Sequence, residues 1–294
     1  MSRLRRLTAW SIALTVVLIT LGGIVRATGA GLACPDWPLC HGRLIPPLAG
    51  PILVEYSHRL AASVVGVLTL ILAAHVWRFH RRDAALLRTV LLATALLGVQ
   101  VILGGLTVRT ALTAGLVAAH LGTAMAFLAT LLLLYAAVWQ SEQAPISAPP
   151  RLRVAATLAA GVTLAQIALG GYVSASGAGL ACPDFPLCRG SLVPPLAEGV
   201  LIQLLHRMGA LVVALVVVAL VVQARQSIAP IRRLTAAAAA LVIVQIGLGA
   251  LNIFTRVAPP ITVLHLLTAT MLFGTLVVIA GLAWPAQAVS AQPP

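Results

Sequence analysis

Four of the seven histidines in this chain lie inside long apolar stretches: His58, His120, His206 and His265. Polar side chains in such surroundings are rare and mark function. Two offsets relate them, 148 residues from His58 to His206 and 145 from His120 to His265. They therefore form two matched pairs. Two imidazoles facing each other across a helical bundle suit ligation of haem iron from both sides. Zinc or copper fits less well, because each pair offers two strong ligands where a closed site wants more. A hydrogen bond between helices is the plainer reading of such a histidine, but it gives no reason for the pattern to occur twice. Arg59 and Arg207 directly follow two of the histidines. Their charge either pairs with haem propionates or snorkels to lipid headgroups. His41, His75 and His80 do not follow the repeat and read as ordinary interfacial polar residues.

Glu55 stands three residues before His58, on the same helical face, and its counterpart in the second half is Gln203. A carboxylate near lipid is costly unless it does something. Beside a haem ligand it can move a proton, stabilise developing positive charge or tune the iron. A helix-start carboxylate favoured by the helix dipole is the plainer alternative. The mismatch suggests a division of labour, with chemistry in the first half and a held cofactor in the second. The four cysteines also pair by repeat, Cys34 with Cys40 and Cys182 with Cys188. Five residues, two of them proline, separate each pair and bring the thiols within reach of a disulfide on the oxidising side of a membrane. Both bonds are structural, or the first is redox-active above Glu55; the spacing leaves either open. It is a poor spacing for a metal site.

The elements that position these groups are helices in lipid. Hydrophobic residues make up 61% of the chain and charged ones only 9%, with a mean hydropathy of +1.06. So few charges cannot cover that much apolar surface in water. Eight apolar segments reach the length of about 20 residues that a bilayer core requires. They fall near 7–26, 52–77, 85–108, 113–139, 152–174, 200–223, 232–253 and 261–283. The first, Leu7 to Val25, reads as a retained helix rather than a cleaved signal, since Arg26-Ala-Thr-Gly is a poor cleavage site. The net charge of +13 comes from arginine alone, clustered in alternate loops. That distribution argues for membrane topology and against nucleic acid. Arginine-rich loops and both termini belong in the cytoplasm, and the cysteine loops outside.

Gly29-Ala-Gly-Leu-Ala-Cys-Pro-Asp-Trp-Pro-Leu-Cys40 returns as Gly177-Ala-Gly-Leu-Ala-Cys-Pro-Asp-Phe-Pro-Leu-Cys188. Such self-similarity marks a duplicated unit. Each unit has an even number of helices, so both copies cross the membrane in the same sense. The expected fold is an all-α integral membrane protein. Its eight transmembrane helices form two four-helix bundles related by a pseudo-twofold axis along the membrane normal. The expected units are 1–140 and 152–294, joined by a cytoplasmic linker at 141–151.

Glu55-Tyr-Ser-His58-Arg59, the paired cysteine loops and the four helix histidines together resemble the haem A synthase family, in its bacterial type with cysteine pairs in both outer loops. The resemblance covers essentially the whole chain. It implies oxidation of the C8 methyl of haem O to a formyl group, giving haem A for aa3-type oxidases. It implies that substrate haem is held by His58 and His120, and a cofactor haem b by His206 and His265. Glu55 matches the family's essential carboxylate, and Cys34 and Cys40 match cysteines implicated in the reaction. Haem O synthase is the implied source of substrate and the bacterial plasma membrane the implied location, while electron donor and acceptor stay unnamed. The competing readings are a dihaem b-type quinol or electron-transfer cytochrome, which needs no Glu55/Gln203 contrast, and a transporter built from parallel repeats, which wants its polar groups near the midplane.

Overall fold

A computed structural model describes residues 3–142 and 148–284. Eight helices account for nearly all of it: α1 (Arg3–Ala27), α2 (Gly50–His80), α3 (Ala84–Arg109), α4 (Ala114–Ser141), α5 (Pro150–Ala175), α6 (Glu198–Ala224), α7 (Ala229–Phe254) and α8 (Pro259–Ala283). All eight are long and apolar enough to cross a membrane. Their ends lie within a few residues of the segments read from hydropathy. The expected linker is α4 at Ser141 and α5 from Pro150, and its centre, 143–147, lies outside the described residues.

Local chemistry sets the helix starts. Proline occupies the first turn of α2, α5, α7 and α8, where its missing N–H costs nothing. Asp83 caps α3, its carboxylate accepting from the N–H groups of Ala85 and Leu86 at 3.0 Å. The α3–α4 and α7–α8 corners are built alike. Ala111 and Leu112 are left-handed in one, Arg256 and Val257 in the other. Leu112 N–H donates to Thr107 C=O at 2.8 Å, and Val257 N–H to Asn252 C=O at 2.7 Å. These tight corners set the register of His120 and His265 on the helices that follow.

Packing among the described residues forms three large cores between the helices and a small fourth under the second cysteine loop, around Cys182, Cys188 and Val200. One joins α1 to α4 around Val65, Leu72, Val90 and Leu131. Another joins α5 to α8 around Leu152, Val217, Ile231 and Leu276. A third lies on the seam between the halves, where Ile19 of α1, Met125 and Leu128 of α4, Ile167 of α5 and Phe273 of α8 meet. The seam is tight because it is built on glycine. A Cβ on Gly23 of α1 would lie 2.7 Å from Leu266 Cδ2 of α8, and one on Gly171 of α5 would lie 3.0 Å from Leu121 Cδ2 of α4. These two contacts correspond residue for residue, with each half presenting its first helix to the other half's last. A twofold relation between the bundles produces that exchange, and small residues let membrane helices approach this closely.

Candidate functional site

All four repeated histidines lie near the cysteine-loop end of their helices. His58 and His206 are eight residues in from Gly50 and Glu198, and His120 and His265 six residues in from Ala114 and Pro259. At 1.5 Å per residue, this puts all four within about one turn of a common depth. His120 and His265 are level with each other, where hydropathy had placed His265 a turn shallower. Each half brings its two imidazoles within electrostatic reach of one another, His58 with His120 and His206 with His265.

A glycine faces each of the four rings. A Cβ added to Gly22 would lie 3.2 Å from His58 Nε2, and one on Gly104 would lie 3.4 Å from His120 Cε1. On Gly170 it would lie 3.0 Å from His206 Cε1, and on Gly249 3.3 Å from His265 Cε1. Gly22 pairs with Gly170 and Gly104 with Gly249 by the same offsets as the histidines. The Nδ1 atoms of His120 and His265 are buried with no hydrogen-bond partner among the described residues. Buried polar groups normally find partners, so these rings stand ready for one. Two imidazoles per half, each approached closely by a glycine, and unpartnered ring nitrogens fit a flat iron macrocycle held between two helices.

The rings differ between halves in what touches them. Gln166 places its Nε2 2.7 Å from the backbone C=O of His206 and 3.0 Å from its Nδ1. Gln245 lies 3.2 Å from His265 Nε2. In the first half Gln100 reaches only the backbone C=O of His120, at 2.8 Å. Neither ring of the first half has a hydrogen-bond partner among the described residues.

Over the rings lie the two cysteine loops, each closed by a disulfide, Cys34–Cys40 and Cys182–Cys188. The sulfurs are fully buried. Asp36 organises the first loop, its carboxylate accepting from His41 N–H at 2.6 Å and Gly42 N–H at 2.8 Å. Asp184 does the same for Arg189 and Gly190, at 2.6 and 2.7 Å. These bonds hold both carboxyls below their ordinary value of 3.8, Gly42 and Gly190 being the largest cause in each. His41 breaks the repeat in type but not in task. Its Nε2 lies 2.9 Å from Ala33 C=O, while Arg189 Nε donates to Ala181 C=O at 3.2 Å. His75 and His80 lie at the far, arginine-rich end of α2.

Arg59 and Arg207 do work that sequence reasoning missed. Arg59 donates to the carbonyls of Leu39 at 2.7 Å, Asp36 at 2.9 Å and Cys34 at 2.9 Å. Arg207 donates to Leu187 at 2.7 Å, Asp184 at 2.8 Å and Cys182 at 3.1 Å. Each guanidinium thus clamps the loop above the histidine beside it. The repeated His-Arg pair carried the signal, but bonds reaching 20 to 25 residues back could not be read from it.

At Glu55 the halves part. Its side chain is buried, one carboxylate oxygen 2.5 Å from Arg59 Nη2 and the other accepting Cys34 N–H at 2.7 Å. Gln203 makes one bond, Nε2 to Gly179 C=O at 3.3 Å, and its Oε1 is buried without a partner among the described residues. A buried carboxylate persists only if paired and bonded, and Glu55 is both. The first half therefore holds a fixed negative charge between a disulfide loop and a histidine pair, where the second holds a neutral amide.

Comparison with known proteins agrees along nearly the whole chain. Residues 5–51 and 49–277 match the cytochrome oxidase assembly protein family, COX15-CtaA. The chain is 34% identical over 226 residues to the "Heme A synthase" of Halalkalibacterium halodurans, covering 73% of this chain and 74% of that one. It is 32% identical over 285 residues to the protein of that name from Alkalihalophilus pseudofirmus, covering 92% and 95%. It is 31% identical over 265 residues to that from Symbiobacterium thermophilum, covering 85% and 86%.

Proposed function

This chain belongs to the COX15-CtaA family of cytochrome oxidase assembly proteins, and we propose that it is a haem A synthase, oxidising the C8 methyl of haem O to a formyl group. It is a multi-pass helical membrane enzyme, a haem O oxidoreductase. The first unit, 1–140, takes the substrate haem between His58 and His120 and does the chemistry. The second, 152–294, keeps a haem b between His206 and His265. Bound there, a haem would supply a one-electron store. The enzyme sits in the bacterial plasma membrane with both termini cytoplasmic and the cysteine loops outside. Haem O synthase supplies the substrate.

The observation that carries this reading is the contrast of Glu55 with Gln203. A substrate haem must enter and leave, and its methyl group must lose protons as it is oxidised. Glu55 is the one carboxylate buried beside a histidine pair among the described residues. It is positioned to receive a proton or to stabilise positive charge developing on the substrate. The partnerless rings of His58 and His120 suit a ligand in transit, and the amide-bonded rings of His206 and His265 suit a resident one. A dihaem electron-transfer cytochrome has no use for either asymmetry.

The test is co-expression with a source of haem O, followed by haem extraction and mass analysis. Glu55→Gln should abolish the formyl product while the haem bound at His206 and His265 remains. Haem A at normal levels from that variant would refute the assignment of chemistry to the first half.

A further inference from the structure

We infer that Gln166 is the positioning residue that makes the second histidine pair a permanent haem site, a step that rests on the reading of His206 and His265 as ligands of a resident haem. Three observations carry it. Gln166 bonds both the backbone carbonyl and the ring of His206, at 2.7 and 3.0 Å. Its room is made by glycine, since a Cβ on Gly209 would lie 2.1 Å from Gln166 Oε1. The 148-residue offset places Leu18 opposite Gln166 and Ala61 opposite Gly209. The donor and the space that admits it are thus present together in the second half and absent together from the first. Gly170, four residues on from Gln166 and one turn along α5, faces the same ring. The ring is held from one helix at both its nitrogen and its edge.

The chemistry follows from which ring nitrogen binds iron. When Nε2 ligates, Nδ1 carries the remaining proton and wants an acceptor. Gln166 is the polar side chain beside that atom. In this structure the amide donates its Nε2 to the His206 carbonyl; turned about its terminal bond and drawn back from that carbonyl, it offers Oε1 to Nδ1–H, exchanging the backbone bond for one to the ring. An acceptor there fixes the ring plane and makes the imidazole a stronger electron donor, favouring ferric over ferrous iron. By the 148-residue offset the first half has Leu18 where the second has Gln166, so it offers no such acceptor there, and the His58 ring has no hydrogen-bond partner among the described residues.

The experiment uses the full-length protein in detergent or nanodiscs, loaded with haem B. Gln166→Leu borrows the residue of the first half and is expected to fold. It should weaken haem retention about 10- to 100-fold, the usual effect of removing such a partner, raise the midpoint potential of the bound haem and shift its ferric low-spin EPR signal. Gln166→Glu, a stronger acceptor, should move the potential the other way. Leu18→Gln with Ala61→Gly should slow release of haem from the first half. Opposite shifts for Leu and Glu are not what a packing role alone would give. If both variants keep the wild-type potential and off-rate while His206→Ala loses the haem, this inference falls and the haem assignment stands. If His206→Ala leaves haem binding unchanged, the underlying reading falls instead.

Discussion

Placing a methyl group on each of the four glycines that face the histidines should weaken haem binding in a graded order set by distance. A Cβ would meet the facing ring at 3.0 Å from Gly170, 3.2 Å from Gly22, 3.3 Å from Gly249 and 3.4 Å from Gly104. Unstrained carbon contacts lie at about 3.5–4.0 Å. Gly170→Ala therefore forces His206 to retreat by roughly 0.5 Å or more, and overpacking of that kind costs about 1–3 kcal/mol. If the ring must hold its place only when haem is bound, the cost appears as a roughly 5- to 150-fold loss of affinity. Gly104→Ala needs little movement and should be nearly silent. Alanine favours a helix over glycine by about 1 kcal/mol, so the helices themselves should not suffer. The assay is haem-to-protein stoichiometry by pyridine haemochrome during competition with a haem-binding apoprotein. Gly170→Ala should lose the resident haem and keep the thermal unfolding midpoint of the haem-free protein. The reasoning fails if Gly104→Ala strips haem as fast as Gly170→Ala, or if Gly170→Ala binds as wild type.

Three further outcomes follow from the loops. Arg59→Gln leaves Glu55 buried without its cation and should destabilise by about 3–5 kcal/mol, more than Arg207→Gln, which loses carbonyl bonds and a contact with the Phe185 ring but leaves no buried carboxylate unpaired; the double variant Glu55→Gln/Arg59→Gln should recover part of the difference in denaturant unfolding of the detergent-solubilised protein. Gly105→Ala should disturb the first loop, because its Cβ would sit 3.1 Å from the Trp37 ring; adding Trp37→Phe, which reproduces the Phe185 and Ala250 of the second half, should restore proteolytic resistance. Asp36 and Asp184 have carboxyls held below 3.8 by backbone N–H bonds. A lowered folded value means their contribution is complete above the unfolded value and is lost as pH falls below 3.8 through the folded one. Amide exchange at Gly42 and Gly190 should therefore stay slow at neutral pH and accelerate only in that acid range, and Asp36→Asn should remove the step at Gly42.

The helices and the histidine pairs were legible in the sequence because the signals are dense. Twenty apolar residues in a row have few other solutions, and a duplicated chain prints each intramembrane histidine twice. What escaped was whatever depends on chain folding back over tens of residues. Nothing in His58-Arg59 says that the guanidinium turns up to the carbonyls of Cys34, Asp36 and Leu39. Glu55 was read from its neighbour His58, yet its closest bonds are to Arg59 and a loop N–H. Gln166 was invisible as a partner of His206 because a repeat displays what the halves share, and Gln166 opposite Leu18 is a difference. The glycine pairs stood in plain sight at 22–23 and 170–171, but in a membrane helix glycine most often signals close packing, and only geometry separates the one facing a ring from the one facing a helix.

Those glycine pairs bear on whether the two bundles can be treated as interchangeable parts. Gly22 fits His58 while its neighbour Gly23 fits Leu266, the residue after His265, and Gly170 and Gly171 repeat the pattern toward His206 and Leu121. One turn of α1 is thus tailored to both histidine pairs at once, and one turn of α5 likewise. A chimera joining the first bundle of this enzyme to the second bundle of a distant homologue would have to match side chains at Leu121 and Leu266 before either site could form. The duplication doubled the gene but left two halves that must be tuned as a couple, each carrying part of the mould in which the other is cast.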